Sequence, residues 1–138
     1  MHDAGTHKPL TFDALGVHLD KLGWPHTRRD ASTYACTHPT EEGDVHVFVR
    51  LGKDWLVASV VPFLATRGKN SFELTRWLLR QNRELFQAKF ATDEDGDVVL
   101  VLELPTESLD ASEIRIGLQG LLREAVRHRR ILRDASSS

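Results

Sequence analysis

The chain has 138 residues, a length that fits one domain and suffices to bury a hydrophobic core. Its net charge of -2 argues against a general nucleic-acid binder, because such proteins usually carry a basic excess. The lone cysteine, Cys36, excludes an intramolecular disulfide framework and indicates a reducing compartment. No apolar run approaches the roughly 20 residues that span a bilayer, and the first ten residues lack the apolar segment of a signal peptide. We therefore expect a soluble cytoplasmic protein.

The beginning of the chain predicts a polar tail followed by one helix. Residues 1–10 show no periodicity, and we expect them to form a disordered tail. Thr11 is an acceptable N-cap residue for a helix. Apolar residues then recur at spacings of three and four, which places them in one stripe: Phe12, Leu15, Leu19 and Leu22. Gly23 and Pro25 are expected to end this helix.

Three strands are predicted next. Residues 32–38 form the first strand. Residues 26–29 before them have a weakly extended pattern and are not counted as a strand. Residues 45–51 alternate valine with polar or aromatic side chains, which is the pattern of a half-buried strand. Residues 55–61 are apolar on both faces apart from Ser59, so we expect a central strand. Pro62 is expected to close it.

A second helix and a hairpin follow. We expect the helix to cover residues 71–85, with Asn70 as its N-cap and Glu73 completing a capping box. Residues 86–91 and 98–104 are the two strands of the hairpin. The residues between them have the composition of a tight turn: Asp93, Glu94, Asp95, Gly96 and Asp97.

The last predicted element is a third helix. Asp110 is its N-cap, and Glu113 stands at the capping-box position. Five arginines lie near its C-terminal end, between Arg123 and Arg133, where positive charge suits the helix dipole. We expect a single domain over residues 11–132, followed by a disordered tail over residues 133–138.

The element order is therefore α-β-β-β-α-β-β-α. Short connections within each group of strands predict antiparallel hairpins. A five-stranded antiparallel sheet with three helices is an α+β fold.

The order and one ordered set of residues resemble the YbjN-like family, whose fold is similar to the class I chaperones of type III secretion. The family pattern has a helix with a Leu-Leu-x-x-Asn-Arg-like end, a Phe-containing strand, an acidic Gly turn, an apolar strand ending near Leu-Pro, and a helix that starts after Leu-Asp. The matching residues are Leu78, Leu79, Asn82, Arg83, Phe90, Asp95, Gly96, Leu104, Pro105, Leu109 and Asp110. The detailed match covers residues 72–126.

The resemblance implies a non-enzymatic domain, commonly dimeric, that binds segments of other proteins. We expect a bacterial homodimer with no cofactor and no metal. We therefore expect a chaperone or adaptor for an extended partner segment, with no nucleic-acid or membrane role. Two features depart from secretion chaperones, which tend to be markedly acidic: the nearly neutral charge and the arginine-rich end of the third helix.

Strands that are apolar on both faces point to a binding surface. Three helices of this size can cover only one face of the sheet, and an apolar face left without cover usually marks an interface. The alternative is that the helices divide between both faces. The predicted partner-binding residues combine sheet positions with a polar rim on the second helix: Phe48, Leu56, Ala58, Val99, Val101, Arg76, Arg80 and Arg83.

The sequence leaves other sites open. Cys36, His38 and His46 could line a pocket for a metal ion, a small ligand or an enzyme reaction, although their spacing matches no known zinc signature. The acidic turn at residues 93–97 superficially resembles a calcium loop but lacks the distal glutamate of an EF-hand. The arginines from Arg123 to Arg133 could meet an acidic partner or, less favourably, nucleic acid.

Overall fold

The computed structural model describes residues 9–137. Most of the predicted N-terminal tail, residues 1–8, lies outside this part of the chain. In chain order the elements are α1 (Phe12–Lys21), β1 (His26–Arg28), β2 (Thr33–His38), β3 (Val45–Leu51), β4 (Trp55–Leu64), α2 (Phe72–Glu84), β5 (Ala88–Thr92), β6 (Val98–Pro105) and α3 (Ala111–Ser137). None of these helices is long and apolar enough to cross a membrane.

The strands form one sheet in the order β1-β2-β3-β4-β6-β5, and every neighbouring pair is antiparallel. All three helices lie on the same face. The long helix α3 crosses β4 and β6, α2 packs on β5, and α1 packs beside α3. Alternate strand residues point under the helices and form the core with apolar residues of the helices.

Helix capping follows the sequence closely at two of the three helices. The Thr11 hydroxyl accepts a hydrogen bond from the Ala14 amide, as predicted. The capping box of α3 is also confirmed, because Asp110 and Glu113 each accept a hydrogen bond from the other's amide. In α2 the N-cap is Ser71 rather than Asn70, since the Ser71 hydroxyl accepts from the Leu74 amide.

The α+β class, the three helices and the antiparallel sheet are confirmed, but the sheet has six strands and not five. The additional strand, β1, has only three residues, which are too few to show an alternation. Its identity comes from its partner: His26 pairs with Cys36 and Arg28 with Tyr34 in β2. Pairing with a longer strand thus produces a strand that periodicity does not reveal.

Three boundaries differ from the prediction by more than one residue. Phe86 does not belong to β5, which begins at Ala88. β4 continues through Pro62 to Leu64, with a register shift after Val60. Helix α3 continues to Ser137 instead of ending at residue 132, because side chains in its last turns still contact the β2–β3 turn and the core.

Candidate protein-binding surfaces

No helix in the described part of the chain packs on the second face of the sheet, which we call the open face. Its side chains alternate along each strand with the core residues. They include Ala35, His46, Phe48, Arg50, Trp55, Val57, Ser59, Val61, Val99, Val101 and Glu103, of which Trp55 is 50% exposed. Most of the apolar ones are half-buried, because neighbouring strands shield each other's side chains. The face is thus apolar at its centre, as the count of helices suggested.

The open face contains three of the predicted sheet residues and lacks the other two. Phe48, Val99 and Val101 all point to it, although Val99 is only 5% exposed. Leu56 and Ala58 are each 1% exposed and lie in the core beneath the helices. Their expected place in a partner-binding surface was wrong. The strand is apolar on both faces, so alternation could not tell which residues face the helices.

A second apolar surface runs along the outer side of α2. Phe72, Leu79 and Phe86 are 75%, 64% and 98% exposed, and we call them the outer stripe. Their spacing of seven residues places Phe72 and Leu79 on one side of the helix, and Phe86 follows its end. A row of exposed aromatic and aliphatic side chains is a candidate contact site, because apolar patches of this kind are uncommon on monomeric proteins.

The three predicted arginines border the outer stripe. At about 100° per residue, Arg76, Arg80 and Arg83 follow the stripe on one side of α2. All three are exposed, and none forms an ion pair with a described carboxylate. The Arg76 guanidinium lies 5.5 Å from the centroid of the Phe72 ring. This surface is therefore both apolar and positively charged.

A shallow groove extends the outer stripe towards α3. It has a volume of about 280 Å³ and lies between the start of β5 and α3. Phe86 and the half-exposed Ile116 stand at its rim, while Gly117 and Gly120 form a low wall of α3. The groove can accept one or two apolar side chains of a partner that follows the stripe.

The predicted site residues thus fall on two surfaces. Phe48, Val99 and Val101 lie on the open face, while the arginines lie on α2, which packs on the opposite face of the sheet. One partner segment cannot contact both without passing around the β5 edge. Sequence reasoning missed Phe72, Leu79 and Phe86, although their spacing of seven was readable, because it assigned Phe86 to a strand and left the other two without a role.

The β5 edge itself is closed. The Asn82 side chain donates to the Phe90 carbonyl at 3.0 Å and accepts from the Phe90 amide at 2.7 Å. Lys89 donates to the Asn82 and Leu85 carbonyls at the end of α2. The Asn82 bonds occupy the Phe90 amide and carbonyl, which a partner strand would need, so this part of the β5 edge is a poor site for strand addition.

Cys36, His38 and His46 do not form one pocket. Cys36 and His38 point under the helices, whereas His46 is exposed on the open face, where its ring contacts the Thr37 hydroxyl. Burial raises the pKa of the Cys36 thiol to about 11 and lowers the pKa of His38. Within residues 9–137 no cluster of three or more metal-binding side chains exists. The alternative prediction, a single pocket lined by these three residues, was therefore wrong.

The carboxylates of the acidic turn at residues 93–97 accept local hydrogen bonds. The Asp93 carboxylate accepts from the Asp95 and Asp97 amides, and the Asp97 carboxylate accepts from the Arg67 amide. The Gly96 carbonyl accepts from Gly68, which joins the turn to the loop before α2. The carboxylates thus stabilise the connection of two loops, and their oxygens do not converge on one point.

Most of the arginines of α3 also have contacts inside the molecule. Arg129 donates to the carbonyls of Asp44, Pro62 and Phe63. Arg130 and Arg133 pair with Glu42 in the β2–β3 turn. They attach the end of α3 to the sheet, so the predicted cluster is largely a structural feature.

Comparison with known proteins identifies the family of this chain. A family model matches residues 11–131, nearly the whole described chain. The chain belongs to the YbjN family. The family is described as "Putative bacterial sensory transduction regulator". A search of curated proteins found no match.

Two solved structures share the fold of this YbjN family member. YbjN from E. coli has 15% sequence identity and a TM-score of 0.66, with 94% of this chain and 97% of that chain covered. The Yersinia pestis type III secretion chaperone SycH, in complex with a stable fragment of YscM2, has 20% identity and a TM-score of 0.52. The second match covers 82% of this chain and 94% of SycH. At these identities the two likenesses establish the fold, and the chaperone-like architecture expected from the sequence is confirmed.

Proposed function

We propose that this YbjN family member is a non-catalytic protein-binding domain, a chaperone or adaptor that acts as a homodimer in the bacterial cytoplasm. The observation that carries the proposal is the outer stripe, because Phe72, Leu79 and Phe86 are far more exposed than a soluble monomer requires. SycH, which shares the fold, forms a complex with a protein fragment. The buried free thiol of Cys36 agrees with a reducing compartment.

The charge beside the outer stripe indicates the chemistry of the partner. Arg76, Arg80 and Arg83 present three guanidinium groups along the stripe, and Arg binds carboxylates in a planar, two-pronged geometry. A partner segment with apolar residues along one side and Asp or Glu beside them satisfies both features. We therefore propose an acidic amphipathic segment as the occupant of this surface.

The open face is the second proposed contact surface, through Phe48, Val99 and Val101. Most apolar side chains of the open face are less exposed than those of the outer stripe. A broad, even surface of this kind suits contact with another broad surface rather than with a single segment. A description of the family as a regulator of sensory transduction is compatible with such an adaptor, which would act through protein contacts.

Affinity capture from the native host tests the proposal. The wild-type protein and a triple variant, Phe72→Ser with Leu79→Ser and Phe86→Ser, are used as baits, and recovered proteins are identified by mass spectrometry. A partner recovered with the wild type is then purified and titrated against both. We expect the triple variant to bind at least about tenfold more weakly, since each lost apolar side chain costs on the order of 1 kcal/mol at an interface.

Two further variants make the result specific. Val17→Ser removes a half-exposed apolar side chain on α1, away from the stripe, and should bind like the wild type. Replacing Arg76, Arg80 and Arg83 with Glu should abolish binding of an acidic partner, because like charges then meet across the interface. Unchanged capture by the stripe variant and the charge-reversed variant would overturn the proposal.

A further inference from the structure

Two opposite charges flank the centre of the open face. The strand register pairs Arg50 in β3 with Val57 in β4, and Val57 with Glu103 in β6. Arg50 and Glu103 therefore stand on either side of Val57, each one strand away. Both are exposed, and neither forms an ion pair with any residue in the described range. On this face the two strands beside β4 thus carry opposite charges, a cation in β3 and an anion in β6, each one strand from Val57.

In the next row along the strands, apolar side chains take the positions in β3 and β6 that the two charges take in the first row. Phe48 pairs with Ser59, and Ser59 pairs with Val101. Lys89 follows in β5, but its ammonium group is turned away to the carbonyls at the end of α2. The small Ser59 therefore lies between two larger apolar side chains.

These rows are complementary to themselves under one symmetry operation. Consider two copies whose open faces meet, with a two-fold axis that runs along β4 between them. The axis exchanges the positions of β3 and β6, so Arg50 of each copy faces the partner's Glu103 and Phe48 faces the partner's Val101. A two-fold axis across the strands at Val57 would instead place Arg50 on the partner's Arg50, which repulsion disfavours.

We propose that the occupant of the open face is a second copy of this chain, packed sheet against sheet about a two-fold axis along β4. Facing sheets pack about 10 Å apart, a gap that an Arg and a Glu side chain span together. The dimer then contains two Arg50–Glu103 pairs on either side of an apolar centre, in an isologous interface. Arg29, whose guanidinium lies 4.5 Å from the Phe48 ring centroid, moves to the rim.

This inference rests on the homodimer of the proposed function and assigns its surface, leaving the outer stripe free for the partner segment. It also explains why the open face is apolar at its centre although no helix of the described chain covers it. Each copy supplies the missing cover for the other, as in a sandwich of two sheets.

Charge exchange tests the arrangement. Sedimentation equilibrium of the purified wild type from micromolar to hundreds of micromolar should give a dimer. Arg50→Glu and Glu103→Arg should each weaken dimerisation about tenfold or more, because each places two like-charged pairs in the interface. The double variant restores both pairs with reversed sign and should return to a wild-type dissociation constant. Val57→Asp, which places two carboxylates at the axis, should be monomeric.

Matched controls are Arg115→Glu on α3 and Glu84→Arg on α2, which reverse exposed charges on helices that lie on the other side of the sheet and should leave the dimer unchanged. Circular dichroism establishes that every variant is folded. A monomeric wild type, a dimer insensitive to the single variants, or a double variant without recovery would each overturn the inference. A monomeric wild type would also remove the homodimer from the proposed function, whereas a wild-type dimer that ignores these charge changes would remove only this dimer surface. Loss of partner capture by the outer-stripe variant tests the protein-binding role separately from the dimer.

Discussion

Asn82 in α2 and Phe90 in β5 are joined by two hydrogen bonds, in which the side-chain amide pairs with both backbone groups of the strand residue. The amide group of Asn82 thereby takes the place of a neighbouring strand. It connects the second helix to the edge of the sheet and satisfies an amide and a carbonyl that would otherwise invite pairing with another molecule.

We predict that Asn82→Ala destabilises the fold and exposes the β5 edge. Two backbone groups lose their partner, which should lower the free energy of unfolding by about 2 kcal/mol. Urea denaturation measures this loss, and hydrogen exchange of the Phe90 amide should accelerate more than exchange in β3. Gln119→Ala, an exposed change on α3, is the control and should leave both unchanged. Equal stability of Asn82→Ala and wild type would show that the two bonds contribute nothing.

The contact of Arg129 with the sheet gives a second prediction. Its guanidinium donates to the carbonyls of Asp44, Pro62 and Phe63 at the irregular end of β4, and burial lowers its pKa. Arg129→Ala leaves these carbonyls without that donor, so we expect a loss of about 3 kcal/mol of stability. Arg127→Ala, which removes an exposed arginine of the same helix, should cost less than about 0.5 kcal/mol. Thermal and urea denaturation compare the two, and similar losses would contradict the structural role of Arg129.

Gly96 allows a test that separates backbone strain from steric collision. Its φ is +81°, and an added Cβ would lie 2.4 Å from the Gly68 nitrogen. Gly43 has a φ of +90° with nothing within 4 Å of an added Cβ. Gly43→Ala should therefore cost about 1 kcal/mol from the left-handed conformation alone, whereas Gly96→Ala should cost about 3 kcal/mol because the two loops must also separate. Equal costs, measured by denaturation, would show that the loops move apart freely.

Elements that produce a local pattern in the sequence were predictable, whereas features that depend on distant contacts were not. The alternation of Val45, Val47 and Val49 and the capping box of α3 are local signals, and both predictions were correct. Leu56 and Ala58 were placed on the wrong face because a strand apolar on both sides has no readable phase. The contacts of Arg129 could not be predicted, because they join it to carbonyls 66 to 85 residues away in the chain. A local sequence pattern carries no information about such contacts.

The surfaces were predictable in kind but only partly in position. A surplus of apolar strand residues over the area that three helices can cover implied an open face, and Phe48 and Val101 lie on it. The arginines of α2 were correctly expected to be exposed. What periodicity could not show is that α2 and the open face lie on opposite sides of the sheet, because that depends on the hand of the connections.

The buried thiol of Cys36 predicts a specific loss of stability at high pH. Burial raises its pKa from an ordinary value of 9.0 to about 11, so the folded protein holds the thiol proton where the unfolded chain releases it. Stability from the neutral thiol is therefore full below pH 9 and decreases as the pH rises towards 11. A shift of this size corresponds to a loss on the order of 3 kcal/mol in the free energy of unfolding.

Urea denaturation at intervals between pH 8 and 11 measures this loss, with Cys36→Ala as the matched variant. The variant is less stable at pH 8 because it leaves a small cavity in the core. It retains every other group that titrates in this range, so the difference between the two proteins isolates the thiol. We expect that difference to shrink as the pH rises through the interval. Parallel pH profiles for wild type and Cys36→Ala would mean that Cys36 ionises in the folded protein as readily as in the unfolded chain.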